Sequence, residues 1–301
     1  MIKSVIATNY LGESLKMGIG DPDESGLLIS SIDGLGPEEA EISITELAAT
    51  DGAVYNSSRI ASRNIVMNIL FQGNPTIEDS RYLTYRVFPL KKMLNLIVIT
   101  DTRALQIDGY VESNSPDIFN KQEGTSISII CPSPFFYSLS ESNIYIAGIE
   151  PMFEFPFCND SLKENLLIFS EIRDRYENVV YYEADVETGV VMNIHFLGPS
   201  TGISIYNMVT GDLMTIDTDK LAKIVGSAIQ AYDDLIISTV TGQKGLTFWR
   251  NGKSYNVLNC LDRESDWLKL DVGMNVLVFS AKTGNKNIQI DIRYYPLFEG
   301  V

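Results

Sequence analysis

The sequence has a single histidine among its 301 residues, His195. General acid–base and nucleophilic catalysis draw on histidine most often, and no GxSxG elbow or Cys–His signature accompanies this one. It falls on the polar side of a strand pattern, the setting of a surface or edge histidine. Cysteine is also scarce. Cys131, Cys158 and Cys260 are odd in number, far apart and without a CxxC pair. Neither a disulfide framework nor a zinc site is expected, and all three read as free, reduced thiols. Basic runs are missing, Lys91-Lys92 being the longest, while the formal net charge is −16. Such a surface repels a phosphate backbone and argues against sequence reading of nucleic acid. No unbroken apolar run approaches the ~18 residues of a membrane span. The start, Met1 to Ile6, gives way to Thr8-Asn9 without the apolar core of a signal peptide. The expectation is a soluble product of a cytoplasm with no membrane partner.

Cofactor motifs are incomplete. Gly18-Ile19-Gly20 and Gly34-Leu35-Gly36 lack the third glycine and the βαβ setting of a dinucleotide site, and read as loop glycines. Asp21-Pro22-Asp23 and Asp217-Thr218-Asp219 do not continue into the glycine and distal glutamate of a calcium loop, which leaves turns and caps. No cofactor or metal is expected. Glycosidase-type carboxylate pairs stay open on sequence alone, since 39 Asp and Glu residues could meet in many ways. Their abundance is also what a solvated acidic surface requires.

What is present is a period of two. Ile288, Ile290, Ile292 and Tyr294 share one face against Gln289, Asp291 and Arg293, and Val190, Met192, Ile194 and Phe196 oppose Asn193 and His195. Ile42 and Ile44 likewise oppose Glu41, Ser43 and Thr45. Turn signals at Asn251-Gly252 and Thr283-Gly284-Asn285 suit hairpins. One helix is marked from about Thr76 to Phe88, where Thr76-Ile77-Glu78-Asp79 forms a capping pattern and Pro89 is the stop. A shorter one follows Thr218, with Leu221, Ile224 and Val225 on one side before Gly226.

The fold class expected is mainly β (α+β). A β-barrel-like N-terminal domain with a helix precedes an antiparallel β-sandwich of the galectin or carbohydrate-module kind. The length suggests two domains, and the prolines of Cys131-Pro132-Ser133-Pro134-Phe135-Phe136 set the boundary, giving 1–138 and 139–301. Aromatics leave alternatives open. Phe153, Phe155 and Phe157 around Pro156, and Phe135-Phe136-Tyr137, are either an exposed docking patch or core under a loop. Tyr181-Tyr182 and Trp249 either stack on sugars or pack a core.

Longer stretches carry more information. Asp51-Gly52-Ala53-Val54-Tyr55, Arg59 and Ser62-Arg63-Asn64-Ile65 precede the first helix. Gly109-Tyr110-Val111-Glu112, Ile118-Phe119 and Ser128 to Phe135, with Cys131, Pro132 and Pro134, follow it. In this order and spacing they resemble the N-terminal domain of the phage distal tail protein family. Asp234 to Thr239, Asn251-Gly252, Trp267-Leu268-Lys269-Leu270, Gly273-Met274-Asn275 and Phe298-Glu299-Gly300-Val301 look like the sandwich domain that follows in that family.

The resemblance implies a hexameric ring at the distal end of a tail tube, joining it to the tip or baseplate hub with sandwich domains outward. The N-terminal domain would form the ring and dock on the tube. Its partners would be further copies of the chain, the tail tube protein, the tip or hub protein and receptor-binding proteins, in a virion assembled in a bacterial cytoplasm. DNA would be cargo only, repelled by an acidic lumen so that it slides. The family offers no catalytic residues, so the quoted positions are structural or interface candidates and no enzyme is expected. Arg59 and Arg63 either salt-bridge a neighbouring subunit or form a solvated surface pair, and Asp51-Gly52 serves a turn. A carbohydrate-binding adhesion module at the tail tip is the alternative reading.

Overall fold

Strands with every second side chain apolar gain by closing over a core, and seven of those in the N-terminal half close completely. The computed structural model describes residues 1–20, 25–48, 51–73, 75–147, 149–151, 170–172 and 177–301. Its contacts fall into two units, Met1–Leu139 with Leu297–Val301, and Ser140–Pro296. The last five residues were expected in the second domain. They belong instead to the first unit, because Leu297 and Phe298 pair with Tyr137 and Phe136.

The first unit contains β1 (Ile2–Asn9), β2 (Ser14–Ile19), β3 (Leu27–Asp33), β4 (Ala40–Glu46), β5 (Ala53–Ile60) and β6 (Arg63–Phe71). Then come α1 (Ile77–Val87), β7 (Met93–Thr100), β8 (Ala104–Asp117), β9 (Gly124–Cys131) and β10 (Phe136–Ser138). Seven of them close a barrel in the order β8-β7-β1-β2-β3-β6-β9, with β9 returning to β8. The long β8 makes closure possible. Ala104–Tyr110 pairs with β7, and Tyr110–Asp117 pairs with β9. At the switch, Gly109 lets the strands approach, since a Cβ there would lie 2.5 Å from Ile129 Cγ2 and 2.9 Å from Cys131 Sγ. Alternate residues such as Val5, Met17, Ile65, Met67, Val98 and Ile129 fill the interior. The helix begins where the capping pattern places it, with Thr76 Oγ1 accepting from the Asp79 amide at 3.2 Å.

The second unit contains β11 (Ser142–Ala147), β12 (Ile149–Pro151), β13 (Ser170–Ile172), β14 (Glu177–Tyr182), β15 (Thr188–Gly189), β16 (Val191–Phe196), β17 (Thr201–Asn207) and β18 (Leu213–Ile216). After α2 (Thr218–Val225) follow β19 (Asp234–Ser238), β20 (Gly245–Arg250), β21 (Lys253–Asn256), β22 (Lys269–Leu270), β23 (Gly273–Thr283) and β24 (Ile288–Tyr294). A six-stranded sheet, β11-β24-β16-β19-β20-β21, and a four-stranded sheet, β14-β23-β17-β18, supply one shared core: this is the antiparallel sandwich. Asp217 caps α2, its Oδ1 accepting from the Asp219 and Lys220 amides at 3.0 Å. The cap reading of the Asp217-Thr218-Asp219 stretch therefore accounts for its carboxylate. Asn251 and Gly252 adopt φ of 50° and 75° in the β20–β21 hairpin, as their turn chemistry requires.

The other turn signal resolves differently. Thr283-Gly284-Asn285 does not make a hairpin, because β23 pairs with β14 and β17 whereas β24 pairs with β11 and β16. The turn carries the chain from one sheet to the other. Tyr182 is core, with its hydroxyl donating to the Val186 carbonyl at 2.8 Å and its ring edge-on to Tyr294. Sugar stacking by Tyr182 is thus ruled out, while Trp249 lies on the outer side of β20. Phe136 is likewise buried in the barrel core, so it offers no docking patch. Asp21-Pro22-Asp23, Cys158 and the Phe153–Phe157 cluster lie outside the described residues.

Candidate assembly surfaces

Arg63, a candidate for an exposed or intersubunit ion pair, is 1 % exposed. Its guanidinium donates to four main-chain carbonyls, each at 2.6 Å: Nε to Pro134, Nη1 to Gly34 and Gly36, and Nη2 to Glu299. Its face lies 4.7 Å from the Phe136 ring centroid, and Glu38 Oε1 stands 3.7 Å from Nη1. Burial lowers its pKa from arginine's ordinary value, against the pull of Glu38 and Cys131. The neighbouring Cys131 thiol is pushed up to about 12 by burial, so it stays protonated. Arg63, Gly109, Cys131, Pro134 and Gly300 thus converge on one internal junction. Gly300 belongs because a Cβ there would meet the Leu35 carbonyl at 3.0 Å, and Arg103 donates to its carbonyl at 3.1 Å. Pro132 is exposed and Phe135 half-buried beside this junction.

Arg59 behaves otherwise. It stays at the surface and pairs with Glu41 at 2.7 Å across β4 and β5. These strands form their own two-stranded sheet, and nearly every residue in it is exposed. The register puts Ala40 opposite Ile60, Ile42 opposite Ser58, and Ile44 opposite Tyr55, so these residues share one side. Glu41, Arg59, Ser43, Ser57 and Thr45 occupy the other, with Val54 opposite Thr45 as its one apolar residue. The hairpin is therefore amphipathic, yet Ile42, Ile44 and Tyr55 are each more than half exposed. The alternation at Ile42 and Ile44 marks a strand with an apolar side that its own unit leaves uncovered. An isolated two-stranded hairpin is marginal in water, and the barrel core does not cover this side. Asp51 and Gly52 lie at its tip, where Gly52 has φ 97° and serves the turn.

A second apolar surface lies on the barrel. Tyr10 and Leu11 in the β1–β2 turn, Leu90, Met93 and Tyr110 are all exposed. Met93 faces Tyr110 across β7 and β8, and Lys92 Nζ sits 5.2 Å from the Tyr10 ring centroid. Phe119, in the β8–β9 connection, is 95 % exposed.

Motif positions in the second unit serve the sandwich itself. The buried Asn275 accepts from Asn207 Nδ2 at 3.0 Å and the Asp271 amide at 2.9 Å, and donates to the Asp271 carbonyl at 2.7 Å. Gly273 supplies φ 93° in the same turn, and Trp267 packs partly buried against the core. His195 lies on the central β16 rather than at a sheet edge, its Nδ1 2.7 Å from Asp234 Oδ1. Among the described residues, no group of three or more His, Cys, Asp and Glu is placed to hold a metal ion. No helix among them is long and apolar enough to cross a membrane.

No family model matches the sequence, and no curated protein matches it. Solved structures do match. The Dit protein of phage SPP1 (gp 19.1), described as a paradigm of the hub adsorption apparatus in phages infecting Gram-positive bacteria, superposes with a TM-score of 0.64. The match covers 98 % of this chain and 100 % of that one at 11 % identity. This chain shares the fold of SPP1 Dit. A chain of the phage P2 baseplate in its activated, calcium-bound conformation matches over the full length of both chains, with a TM-score of 0.54 and 12 % identity. The likeness to SPP1 Dit thus spans the closed barrel and the sandwich alike. Its low identity explains why sequence comparison is silent: the shared feature is a strand order and a set of core positions, which many residue combinations satisfy.

Proposed function

We propose that this chain is a structural hub component of a phage tail, assembling with copies of itself into a ring at the distal end of the tail tube. The observation that carries the reading is the uncovered apolar side of the β4–β5 hairpin, in a chain whose fold is that of a phage hub protein. A second copy is its occupant, because a heterologous contact repeated around a closing axis covers every hairpin at once and leaves none free. The buried Arg63 junction supports this reading by fixing the barrel that would bear the ring.

The barrel patch around Tyr10, Met93 and Tyr110 would meet the tail tube protein or the tip protein, and the sandwich would face outward toward receptor-binding proteins. The protein would then be a virion component with no catalytic role. The formal charge of −16 suits a lumen that DNA crosses without adhering.

Light scattering and electron microscopy of the purified chain test the reading. The expected result is a six-membered ring, each subunit contributing 33.5 kDa. A particle that stays monomeric at high concentration, and in the presence of its tube protein, would overturn it.

A further inference from the structure

The outer side of the six-stranded sheet holds a depression that the hub reading does not use. Its volume is about 370 Å³, and Asn193, Tyr232, Asp234, Trp249 and Arg250 line it. Register explains how these residues meet. His195, Asp234, Trp249 and Ser254 form one cross-strand row, with Asp291, Asn193, Ile236 and Thr247 in the next. The neighbours of these residues along the strands, Met192, Ile194, Leu235, Ile237 and Phe248, point into the core, so packing fixes the floor.

We propose that this depression binds a neutral or amino pyranose saccharide. The first reason is the aromatic pair. Trp249 and Tyr232 both line the depression, 39 % and 81 % exposed, and Tyr232 is held at φ 68° with its ring centroid 6.4 Å from that of His195. An exposed tyrosine in the left-handed region is costly unless its surroundings enforce it. They do: the adjacent Asp233 is buried and ion-paired with Arg250, and its Oδ2 accepts from the Gln230 amide at 2.7 Å, which fixes the turn carrying Tyr232. Flat aromatic faces suit the C–H face of a sugar ring.

The second reason is unmet polarity. Asn193 lines the depression, and its buried Oδ1 has no hydrogen-bond partner among the described residues. An orphaned acceptor of this kind costs free energy until a donor arrives, and a sugar brings several hydroxyls. The third reason concerns charge. Arg250 is the one cation among the lining residues, and Asp233, Ser227 Oγ and the Ala228 carbonyl already occupy its guanidinium. With Asp234 on the floor as well, the depression has no free cation for a phosphate, sialate or acidic peptide. Its volume is at the lower end for ligand pockets, enough for about one or two rings.

The proposal is independent of ring formation and can be read on the full chain in any oligomeric state. The chain has two tryptophans, so Trp267→Phe leaves Trp249 as the reporter. Titrating this variant with methyl glycosides of glucose, galactose and N-acetylglucosamine should shift its fluorescence. On a glycan array, neutral or amino sugars should bind, and Tyr232→Ala and Asn193→Ala should each weaken binding about tenfold. Tyr181→Ala, an exposed tyrosine on the other sheet, should change nothing. If Trp267→Phe does not fold, the array with Tyr232→Ala suffices, since that side chain contributes nothing to the core. Equal binding of methyl glycosides and oligosaccharides would indicate a free sugar as ligand, and selective binding of oligosaccharides a wall polymer. Both support the assignment. Binding of sialylated or phosphorylated glycans alone, no glycan binding at millimolar concentration, or binding unchanged in both site variants would overturn it.

Discussion

The Arg63 guanidinium donates from Nη2 to the main-chain carbonyl of Glu299 at 2.6 Å, across 236 residues of sequence. The same group holds the Gly34–Gly36 turn and the Pro134 carbonyl, so one side chain closes three distant segments against the barrel. Removing it strands several acceptors in a site that water does not reach.

Arg63→Met should therefore destabilise the first unit by about 3–5 kcal/mol, the range for disrupting a buried charged network. Deleting residues 297–301 should also destabilise it, and the two losses should be strongly non-additive in denaturant unfolding, because they share a contact. Strict additivity would show that Arg63 acts without the Glu299 segment.

Gly109→Ala should cost about 1–3 kcal/mol by overpacking, since the new methyl meets Ile129 and Cys131 where the barrel closes. Gly245→Ala, with nothing within 4 Å of its Cβ, should stay within about 0.5 kcal/mol of the parent. Thermal melts of both variants decide it. Equal shifts would contradict the tight approach at Gly109.

Ile42→Asp combined with Ile44→Asp should abolish self-association while moving the monomer's stability by no more than about 0.5 kcal/mol, because both side chains are exposed within the chain. Analytical ultracentrifugation read together with a melt separates the two effects. Oligomers that survive the double change would place the interface elsewhere.

Cys131 and Cys260 should resist a thiol reagent in the native protein and react only on unfolding. Both are buried, and burial raises both thiol pKa values, that of Cys131 to about 12. Mass spectrometry of alkylated peptides gives the site-by-site answer. Rapid native labelling of either would mean that its core opens readily.

Part of this architecture is legible before folding. Thr76 to Asp79 announces a helix start because capping is a local bargain between neighbouring residues. Met192, Ile194 and Phe196 announce their strand because the core they enter is their own. The Ile42 and Ile44 alternation is just as clear but says only that one side avoids water, not what covers it. Thr283-Gly284-Asn285 reveals that the chain turns, not which sheet receives the next strand. Arg63 is harder still. Its four acceptors are backbone carbonyls, which carry no sequence signature, and they come from three separate segments. The depression on the six-stranded sheet has the same difficulty, since Asn193, Tyr232 and Trp249 meet only once three strands and a loop are in place.

The pairing of Tyr137 with Leu297 has a consequence for how such a chain can diversify. The chain leaves the barrel after Leu139 and rejoins it at Leu297, through two antiparallel neighbours that a short turn would otherwise connect. Residues 140–296 are in this sense a guest spliced into a host. Because both splice points sit on adjacent strands, the guest can be enlarged, exchanged or trimmed without rethreading the host, whose own strand order stays as it is.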